Sequence, residues 1–291
     1  MSNFQKRTLT AVIGGAIMIA LLMLGRETLL FGLAVVSLVG FFELTKACGV
    51  HTADKKINAL EIIGVCASLV WYVILEIESM RYICTEEALA AGLLVLIISL
   101  VGYMSVYVFS FPKYNATQVM AALFALIYSP FMISFIYLIR SMHLGEYLVW
   151  MIFVCSWMCD IFAYLVGMKF GKKRMAPVLS PKKSVEGAIG GVAGSAVIGA
   201  LYATFVLAPQ VQNTSRGLLI GVIVVISILG ALVSMVGDLA ASAIKRNHDI
   251  KDYGNILPGH GGIMDRFDSA IFVSPMVYIL SLIFLKFVIG M

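Results

Sequence analysis

Apolar runs of about 20 residues recur along the whole chain, and this recurrence limits the possible folds more than any other feature. Each run is long enough for an α-helix to cross the hydrocarbon core of a bilayer. Hydrophobic residues make up 61% of the 291 residues and charged residues 13%, whereas a soluble domain has about 25% charged residues. This composition excludes a water-soluble globule, a disordered chain and a disulfide scaffold. The expected fold class is therefore all-α, as a polytopic integral membrane protein.

The runs define nine candidate transmembrane spans. They cover residues 9–25, 29–44, 59–75, 88–109, 119–139, 147–168, 187–207, 218–236 and 269–289. Helices are expected because lipid cannot satisfy the open edges of strands, and barrel strands would be shorter and alternate in polarity. We expect one membrane domain over residues 1–291, with N-terminal helices in 1–145 and, in 146–291, the helices and cytoplasmic loops in which any chemistry should be sought.

The distribution of basic residues predicts the orientation. With the N-terminus inside, only Arg26, Arg81, Arg140 and Arg216 fall in outer connections, and Lys286 lies within the last span. The other 16 of the 21 Lys and Arg residues fall inside, which favours an N-in, C-out topology. The net charge of +5 is then a consequence of topology and not a nucleic-acid footprint. The expected location is the cytoplasmic (inner) membrane, with the polar segments facing the cytoplasm.

Three carboxylates near the ends of the last two spans are candidate metal ligands. Asp238 is predicted at the cytoplasmic end of the eighth span, and Asp265 and Asp268 stand three residues apart at the start of the ninth. A hairpin between these spans returns all three to one membrane face, and hard oxygen ligands suit Mg²⁺. Two plainer interpretations remain open. Asp265 or Asp268 could cap the last helix with Arg266 as an ion-pair partner, and Asp238 could mark the interface.

The segment between these carboxylates has the composition of a phosphate-binding loop. Lys245 and Arg246 supply fixed positive charge, and the guanidinium of Arg266 matches phosphate geometry. Glycines let backbone N–H groups approach an anion closely. Those of this segment bracket His260, and they are Gly254, Gly259, Gly261 and Gly262.

A second polar segment, at residues 169–186, follows an acidic residue inside a span. Asp160 lies within an apolar run, where a carboxylate costs several kcal/mol and either faces a polar cavity or pairs with a neighbouring helix. Lys182, Lys183 and Ser184 are expected in a Ser-Pro turn before a helix that starts near Gly187, and a helix N-terminus with basic flanks is an anion site. The basic run at 172–174 is instead interpreted as a positive-inside cluster.

The C-terminal run resembles the signature of the phosphatidate cytidylyltransferases, also called CDP-diacylglycerol synthases. That signature reads Ser-x-apolar-Lys-Arg, four residues, Lys-Asp, a small residue, Leu-Pro-x-His-Gly-Gly and Asp-Arg-x-Asp. The matching positions are Ser242, Ile244, Lys245, Arg246, Lys251, Asp252, Gly254, Leu257, Pro258, His260, Gly261, Gly262, Ile263, Asp265, Arg266, Phe267 and Asp268. A match of this length is highly specific.

The middle segment is also similar to this family, which has an Asp–aromatic stretch, a Gly–Lys pair and a Ser-Pro-Lys-Lys-(Ser/Thr)-x-Glu-Gly sequence. The matching positions are Asp160, Tyr164, Gly167, Gly171, Lys172, Ser180, Pro181, Lys182, Lys183, Ser184, Glu186 and Gly187. The resemblance covers residues 157–268, and the first spans resemble the family only in hydrophobicity and number.

The resemblance implies an enzyme that transfers CMP from CTP to phosphatidate, giving CDP-diacylglycerol and pyrophosphate. It implies Mg²⁺ held by Asp238 and Asp265 with Asp268 assisting, and a second cation is left open. Phosphate would be held by Lys245, Arg246, Lys251 and Arg266, and contacted by the turn of His260, Gly261 and Gly262. Lys182, Lys183 and Ser184 would engage the triphosphate or the lipid phosphate, and Asp160 would belong to the substrate site.

Two other functions remain open at this stage. A CTP-dependent lipid kinase would use the same nucleotide but transfer its γ-phosphate, and a transporter would line an anion pathway with the same charges. The partners expected for the enzyme are CTP, phosphatidate and the lipid bilayer, and no nucleic acid. Glycines of the seventh span, among them Gly190, Gly191 and Gly194, allow either close packing within the subunit or contact in a homodimer.

Overall fold

The computed structural model describes residues 3–51, 56–211, 214–257 and 261–289, with side chains from residue 12 onward. Each of the nine predicted spans corresponds to one helix in these ranges. The helices are α1 Asn3–Leu24, α2 Arg26–Ala47, α3 Ala59–Ser79, α4 Thr85–Phe109, α5 Ala116–Ser141, α6 Gly145–Phe170, α7 Val185–Gln210, α8 Arg216–Asn247 and α9 Met264–Ile289. Helices α2 to α9 are long and apolar enough to cross a membrane, so the all-α, polytopic membrane fold is confirmed. The orientation stays a prediction.

The backbone forms two compact units. The first comprises Met1–Tyr137 and Asn247–Arg266, and the second comprises Leu138–Arg246 and Phe267–Met291. The chain therefore returns to the first unit for the segment that connects α8 with α9. The expected single membrane domain, divided near residue 145, stays a prediction.

The first unit is held together by aromatic side chains and polar contacts between α2, α3 and α5. The ring of Trp71 on α3 stacks on Phe131 of α5 with 4.9 Å between ring centroids, and its Nε1 donates to Ser134 Oγ at 2.9 Å. The hydroxyl of Tyr137 donates to the carboxylate of Glu78 at 2.8 Å. Because lipid offers no hydrogen-bond partners, the polar ends of these side chains find theirs inside the protein.

In the second unit, α7 packs closely against α6 through the glycines for which the sequence predicted either close packing or contact in a homodimer. A Cβ atom at Gly191 would lie 2.8 Å from the carbonyl oxygen of Cys159, and one at Gly194 would overlap the ring of Phe162. A Cβ at Gly190 would overlap Val166. Small residues let two helix backbones approach in this way. These glycines therefore serve packing within the subunit, and contact in a homodimer stays a prediction.

The expected Ser-Pro turn before α7 is wrong. Ser180–Ser184 is a strand, β2, which pairs antiparallel with β1 at Arg174–Ala176, and α7 starts at Val185. Strand β2 resembles a turn in the sequence because it contains a proline, which is tolerated at the edge of a two-stranded ribbon. The hairpin is the one sheet in the described part of an otherwise helical fold.

Helix α8 extends well beyond its predicted end near residue 236. It continues to Asn247, so Asp238 lies within the helix and Lys245 and Arg246 form its last turn. Hydropathy locates the apolar run but not the end of the helix. The polar side chains after residue 236 end the apolar run, whereas the helix continues. Alanine-rich sequence favours helix, and the two basic residues suit the negative end of the helix dipole.

Candidate functional site

Three carboxylates and two lysines interact with one another in the second unit. We call this group the acidic cluster, and it comprises Asp160 on α6, Asp238 on α8, Asp268 on α9, Lys183 on β2 and Lys245 on α8. Lys183 Nζ donates to Asp238 Oδ2 in an ion pair whose side chains are about one quarter exposed. Asp160 interacts electrostatically with Lys183 and Asp238, and Asp268 with Asp238, Lys245 and Asp160.

A π-helical turn lies just before Asp160 in α6. It covers Val154–Met158, and Asp160 follows one residue after its C-cap. A π-helical turn inserts an extra residue into an α-helix and is frequent at functional sites. The carboxylate of Asp160 interacts electrostatically with Lys183 and Asp238.

The β-hairpin fixes Lys183. The carboxylate of Glu186 accepts N–H groups of Lys172 and Lys173 at 3.0 and 3.2 Å, which ties β1 to the start of α7. Ser184 is buried, and its Oγ accepts the N–H of Gly187 at 3.1 Å as the N-cap of α7. Lys183 therefore lies on strand β2, which pairs with β1 and leads directly into the capped N-terminus of α7. The predicted role of Ser184 in substrate binding stays a prediction.

The acidic cluster has the chemistry of a cation site. With every group in its charged form, three carboxylates against two lysines leave a formal excess of one negative charge. In the described ranges, no three His, Cys, Asp or Glu side chains stand close enough together to enclose a metal ion. Mg²⁺ needs no such trio, since it usually takes one or two carboxylates and completes its coordination with water and substrate phosphates. Asp238 and Asp268 could supply these carboxylates, and Mg²⁺ binding itself stays a prediction.

A separate arrangement of backbone and carboxylates occupies the segment 247–266 of the first unit. Asp265 is buried, and its Oδ2 accepts the N–H groups of Tyr253 at 2.8 Å and of Gly262 at 2.9 Å. Gly261 has φ 80°, which favours glycine, and its carbonyl accepts the N–H of Leu257 at 3.0 Å. The N–H of Gly262 is thus donated to Asp265, and the predicted contact of this turn with a phosphate stays a prediction.

A further carboxylate in this unit was not predicted from the sequence. Glu43 of α2 is 6% exposed, and it accepts the N–H groups of Ile263 and Met264, which begin α9. It could have been found from its position inside an apolar span, because an ionisable residue within a transmembrane segment usually has a function. Its partners stand 220 and 221 residues away in the sequence, so the spacing gave no indication of them.

The structure thus divides the predicted site residues between two groups. Asp160, Lys183, Asp238, Lys245 and Asp268 meet in the second unit, whereas Gly261, Gly262 and Asp265 meet in the first. A cation shared by Asp238 and Asp265 stays a prediction. Four basic residues with predicted phosphate roles are exposed, and those roles also stay predictions: Lys182, Arg246, Lys251 and Arg266. His260 lies outside the described residues.

Comparison with known sequences identifies the family. Residues 5–284 match the sequence model of the Cytidylyltransferase family. A phosphatidate cytidylyltransferase of Staphylococcus haemolyticus is 33% identical over 94% of this chain and 97% of its own length. One of Bacillus subtilis is 32% identical over 98% of this chain and 100% of its own length. A third, from Synechocystis, is 43% identical over 43% of this chain and 40% of its own length. Because the family model spans nearly the whole chain, this integral membrane protein belongs to the cytidylyltransferase family.

Proposed function

We propose that this protein transfers CMP from CTP to phosphatidate, giving CDP-diacylglycerol and pyrophosphate. The observation that carries the proposal is the acidic cluster, in which the ion pair of Lys183 and Asp238 stands beside two further carboxylates. Full-length relatives named phosphatidate cytidylyltransferase support the choice of substrates. A membrane fold also suits a reaction that joins a soluble nucleotide to a lipid.

The reaction needs charge neutralisation more than a general base. A phosphomonoester has a second pKa of about 6, so the phosphatidate oxygen is already anionic near neutral pH. That oxygen forms a bond to the α-phosphorus of CTP. The bond from this phosphorus to the oxygen bridging to the β-phosphate breaks, and pyrophosphate leaves with the electron pair. The difficulty is that two polyanions must approach each other, which requires fixed positive charge at the attacking and leaving oxygens.

Lysines of the acidic cluster supply part of this positive charge. Lys183 is held by Asp238. When phosphate oxygens arrive, Lys183 can turn from Asp238 and donate to them, because its ammonium has three donors on a flexible four-carbon stem. Lys245 interacts with Asp268 and would hold a second phosphate group. The exposed Arg246, Lys251 and Arg266 would draw the nucleotide in.

The carboxylates would hold Mg²⁺. We assign Asp238 and Asp268 as ligands in the second unit, with Asp160 adding negative charge, and Asp265 keeps its predicted role as a ligand. Bound Mg²⁺ would neutralise developing charge on the phosphate oxygens. Each carboxylate that gives up a lysine to substrate phosphate is left with uncompensated charge, which favours the cation.

We further propose the cytoplasmic membrane as the location, with the site on the cytoplasmic side. The distribution of Lys and Arg supports this orientation. A tetra-anionic nucleotide such as CTP does not cross a bilayer unaided, so the site has to face the compartment that holds CTP, which we take to be the cytoplasm.

One experiment tests the reaction. Purified protein is incubated with phosphatidate and CTP that carries a labelled α-phosphate, with and without Mg²⁺. Label should appear in the lipid only when Mg²⁺ is present, with stoichiometric pyrophosphate. A kinase would release labelled CDP and leave the lipid unlabelled, and a transporter would turn over no nucleotide. Either result would refute the proposal.

A further inference from the structure

Glu43 makes two contacts that connect the first half of the chain to the segment before α9. Its Oε1 accepts the N–H of Ile263 at 3.0 Å, and its Oε2 accepts the N–H of Met264 at 2.9 Å. The first N–H groups of a helix have no partner within the helix, and the positive end of the dipole lies there. A buried carboxylate that takes one N–H on each oxygen therefore satisfies two donors with charge-assisted hydrogen bonds.

The carboxylate of Glu43 also packs directly against two glycines of the segment. A Cβ atom at Gly254 would overlap Glu43 Oε1, and one at Gly262 would overlap both carboxylate oxygens. Neither glycine has a positive φ, so backbone conformation does not require glycine at these positions. The requirement is space, because the side chain of Glu43 fills the volume that a methyl group would take.

Asp265 holds the same turn from within the segment. Asp265 accepts the N–H of Gly262, and Glu43 accepts those of the next two residues, Ile263 and Met264. Two carboxylates thus bind three successive N–H groups. Glu43 and Asp265 also interact electrostatically, so their proximity is held against mutual repulsion by these N–H groups.

We infer that Glu43 is a positioning residue for the reaction. Its carboxylate sets the backbone position of Gly254 and of residues 262–264, and with it the placement of Asp265 and of the basic side chains Lys251 and Arg266. This inference rests on the proposed function, because positioning has a purpose only if those residues serve CMP transfer. Glu43 touches no substrate in this role and acts through the backbone that it holds.

The substitution Glu43→Gln tests the inference. Glutamine keeps the shape but replaces one acceptor oxygen with an NH₂ group, which faces an N–H donor and cannot accept. Hydrogen exchange at the amides of Ile263 and Met264 should accelerate by about tenfold or more, as expected when a buried hydrogen bond is lost. For the folded fraction, kcat of CMP transfer should fall by about tenfold to a hundredfold, because small displacements of catalytic groups are costly.

Glu61 provides a matched control. It is a buried glutamate of α3 in the same unit, and its carboxylate accepts from Thr45 Oγ1 and from the N–H of Asn58. The substitution Glu61→Gln makes the same chemical change in a comparable environment. It should lower stability but leave kcat per folded molecule within about twofold, because its partners are Thr45, His51 and Asn58.

Each outcome decides for or against the inference. Equal losses of kcat in the two variants would show a general effect of losing a buried carboxylate, and would overturn it. If Glu43→Gln does not fold, hydrogen exchange in the unchanged protein decides, because rapid exchange at Ile263 and Met264 would also overturn it. Protected amides in a protein that transfers no CMP would instead reject the proposed function and leave the contact of Glu43 with α9 intact.

Discussion

In the first unit, the carboxylates of Glu43 and Asp265 accept hydrogen bonds from backbone N–H groups, whereas in the second unit Asp160, Asp238 and Asp268 face lysines and one another. Asp268 also accepts one backbone N–H, that of the next residue Ser269, at 2.7 Å through its Oδ1. Backbone donors cannot leave, since they belong to the fold itself. A lysine side chain can move to another anion. The first arrangement therefore holds a segment in place, and the second can exchange its partners when substrate arrives.

This difference separates two uses of an acidic residue in a membrane protein. A carboxylate in an apolar environment must be paired, and either arrangement meets that need. Only the second leaves negative charge that a cation and phosphates can redistribute. The difference predicts that neutralising an acidic residue has its largest effect on catalysis in the second unit and on local structure in the first.

Asp238→Asn should have the largest effect of all the single changes. It removes a proposed Mg²⁺ ligand and the partner of Lys183, so CMP transfer should fall by at least about a thousandfold, which corresponds to several kcal/mol of lost charge stabilisation. The variant should still insert and remain monodisperse, because asparagine fills the same volume. Transfer of labelled CMP to lipid measures the loss.

Asp249→Asn is the control for that change. Asp249 is exposed and has φ 52°, a conformation that asparagine adopts readily. Activity near that of the unchanged protein is expected. Full activity in Asp238→Asn at ordinary Mg²⁺ would remove Asp238 from the metal site and make the two units equivalent in this respect.

Lys183→Met should have the next largest effect. It removes the cation proposed to receive substrate phosphate and leaves Asp238 without its ion-pair partner. The loss of one well-placed donor to developing charge predicts a fall in kcat of about a hundredfold. Steady-state rates at saturating CTP and phosphatidate measure it.

Lys173→Met is the matched comparison for Lys183. Lys173 is an exposed lysine of the neighbouring polar segment, and its N–H to Glu186 survives the substitution. A change within about threefold is expected, as for other surface charges. If both variants lost activity equally, the hairpin would act only through its total positive charge, and the special position of Lys183 would be refuted.

Asp265→Asn separates two roles of this carboxylate, which are to accept backbone N–H groups and to supply negative charge to a metal ion. Asp265 accepts both N–H groups through a single oxygen, Oδ2, so an asparagine with its carbonyl oxygen in that place keeps both hydrogen bonds. The amides of Tyr253 and Gly262 should therefore stay protected from hydrogen exchange. Loss of the charge should lower CMP transfer by about tenfold if Asp265 is also a metal ligand. Full activity would place Asp265 beside Glu43 as a structural carboxylate.

The sequence predicted most of the fold because each helix carries its own signal. Hydropathy located each helix of the described residues, and it failed where the fold depends on something else. Helix α8 continues past residue 236 because helix propensity does not require apolar side chains. Strand β2 was interpreted as a turn because its pairing with β1 cannot be deduced from a proline and two lysines.

The candidate site was partly predictable for a similar reason. Asp160, Lys183, Asp238 and Asp268 were identified from acidic and basic residues in or near apolar runs, and the structure brings them together. Glu43 was missed because its partners are backbone N–H groups, which every residue other than proline carries. Gly254 and Gly262 were identified only as glycines of a phosphate-binding loop, and no sequence pattern indicated that Glu43 fills the space beside both.

The smallest effect is expected for the energetic coupling between Gly254→Ala and Glu43→Asp. This double variant tests whether Glu43 fills the space beside Gly254. Alone, Gly254→Ala places a methyl group against Glu43 and should destabilise the segment by about 1–3 kcal/mol, as overpacking does. Glu43→Asp withdraws the carboxylate by one methylene and frees that space. The double variant should therefore be less destabilised than the sum of the single changes, by about 0.5–3 kcal/mol. Opening free energies from hydrogen exchange at Ile263 and Met264 measure the coupling.

Gly102→Ala supplies the control for this cycle. A Cβ atom at Gly102 would lie 3.6 Å from Ile63, an ordinary contact, so its effect should add to that of Glu43→Asp within about 0.5 kcal/mol. Additivity at Gly254 as well would mean that Glu43 does not occupy the space beside this glycine. The hold of Glu43 on the segment before α9 would then rest only on its hydrogen bonds to the N–H groups of Ile263 and Met264, without a steric contribution.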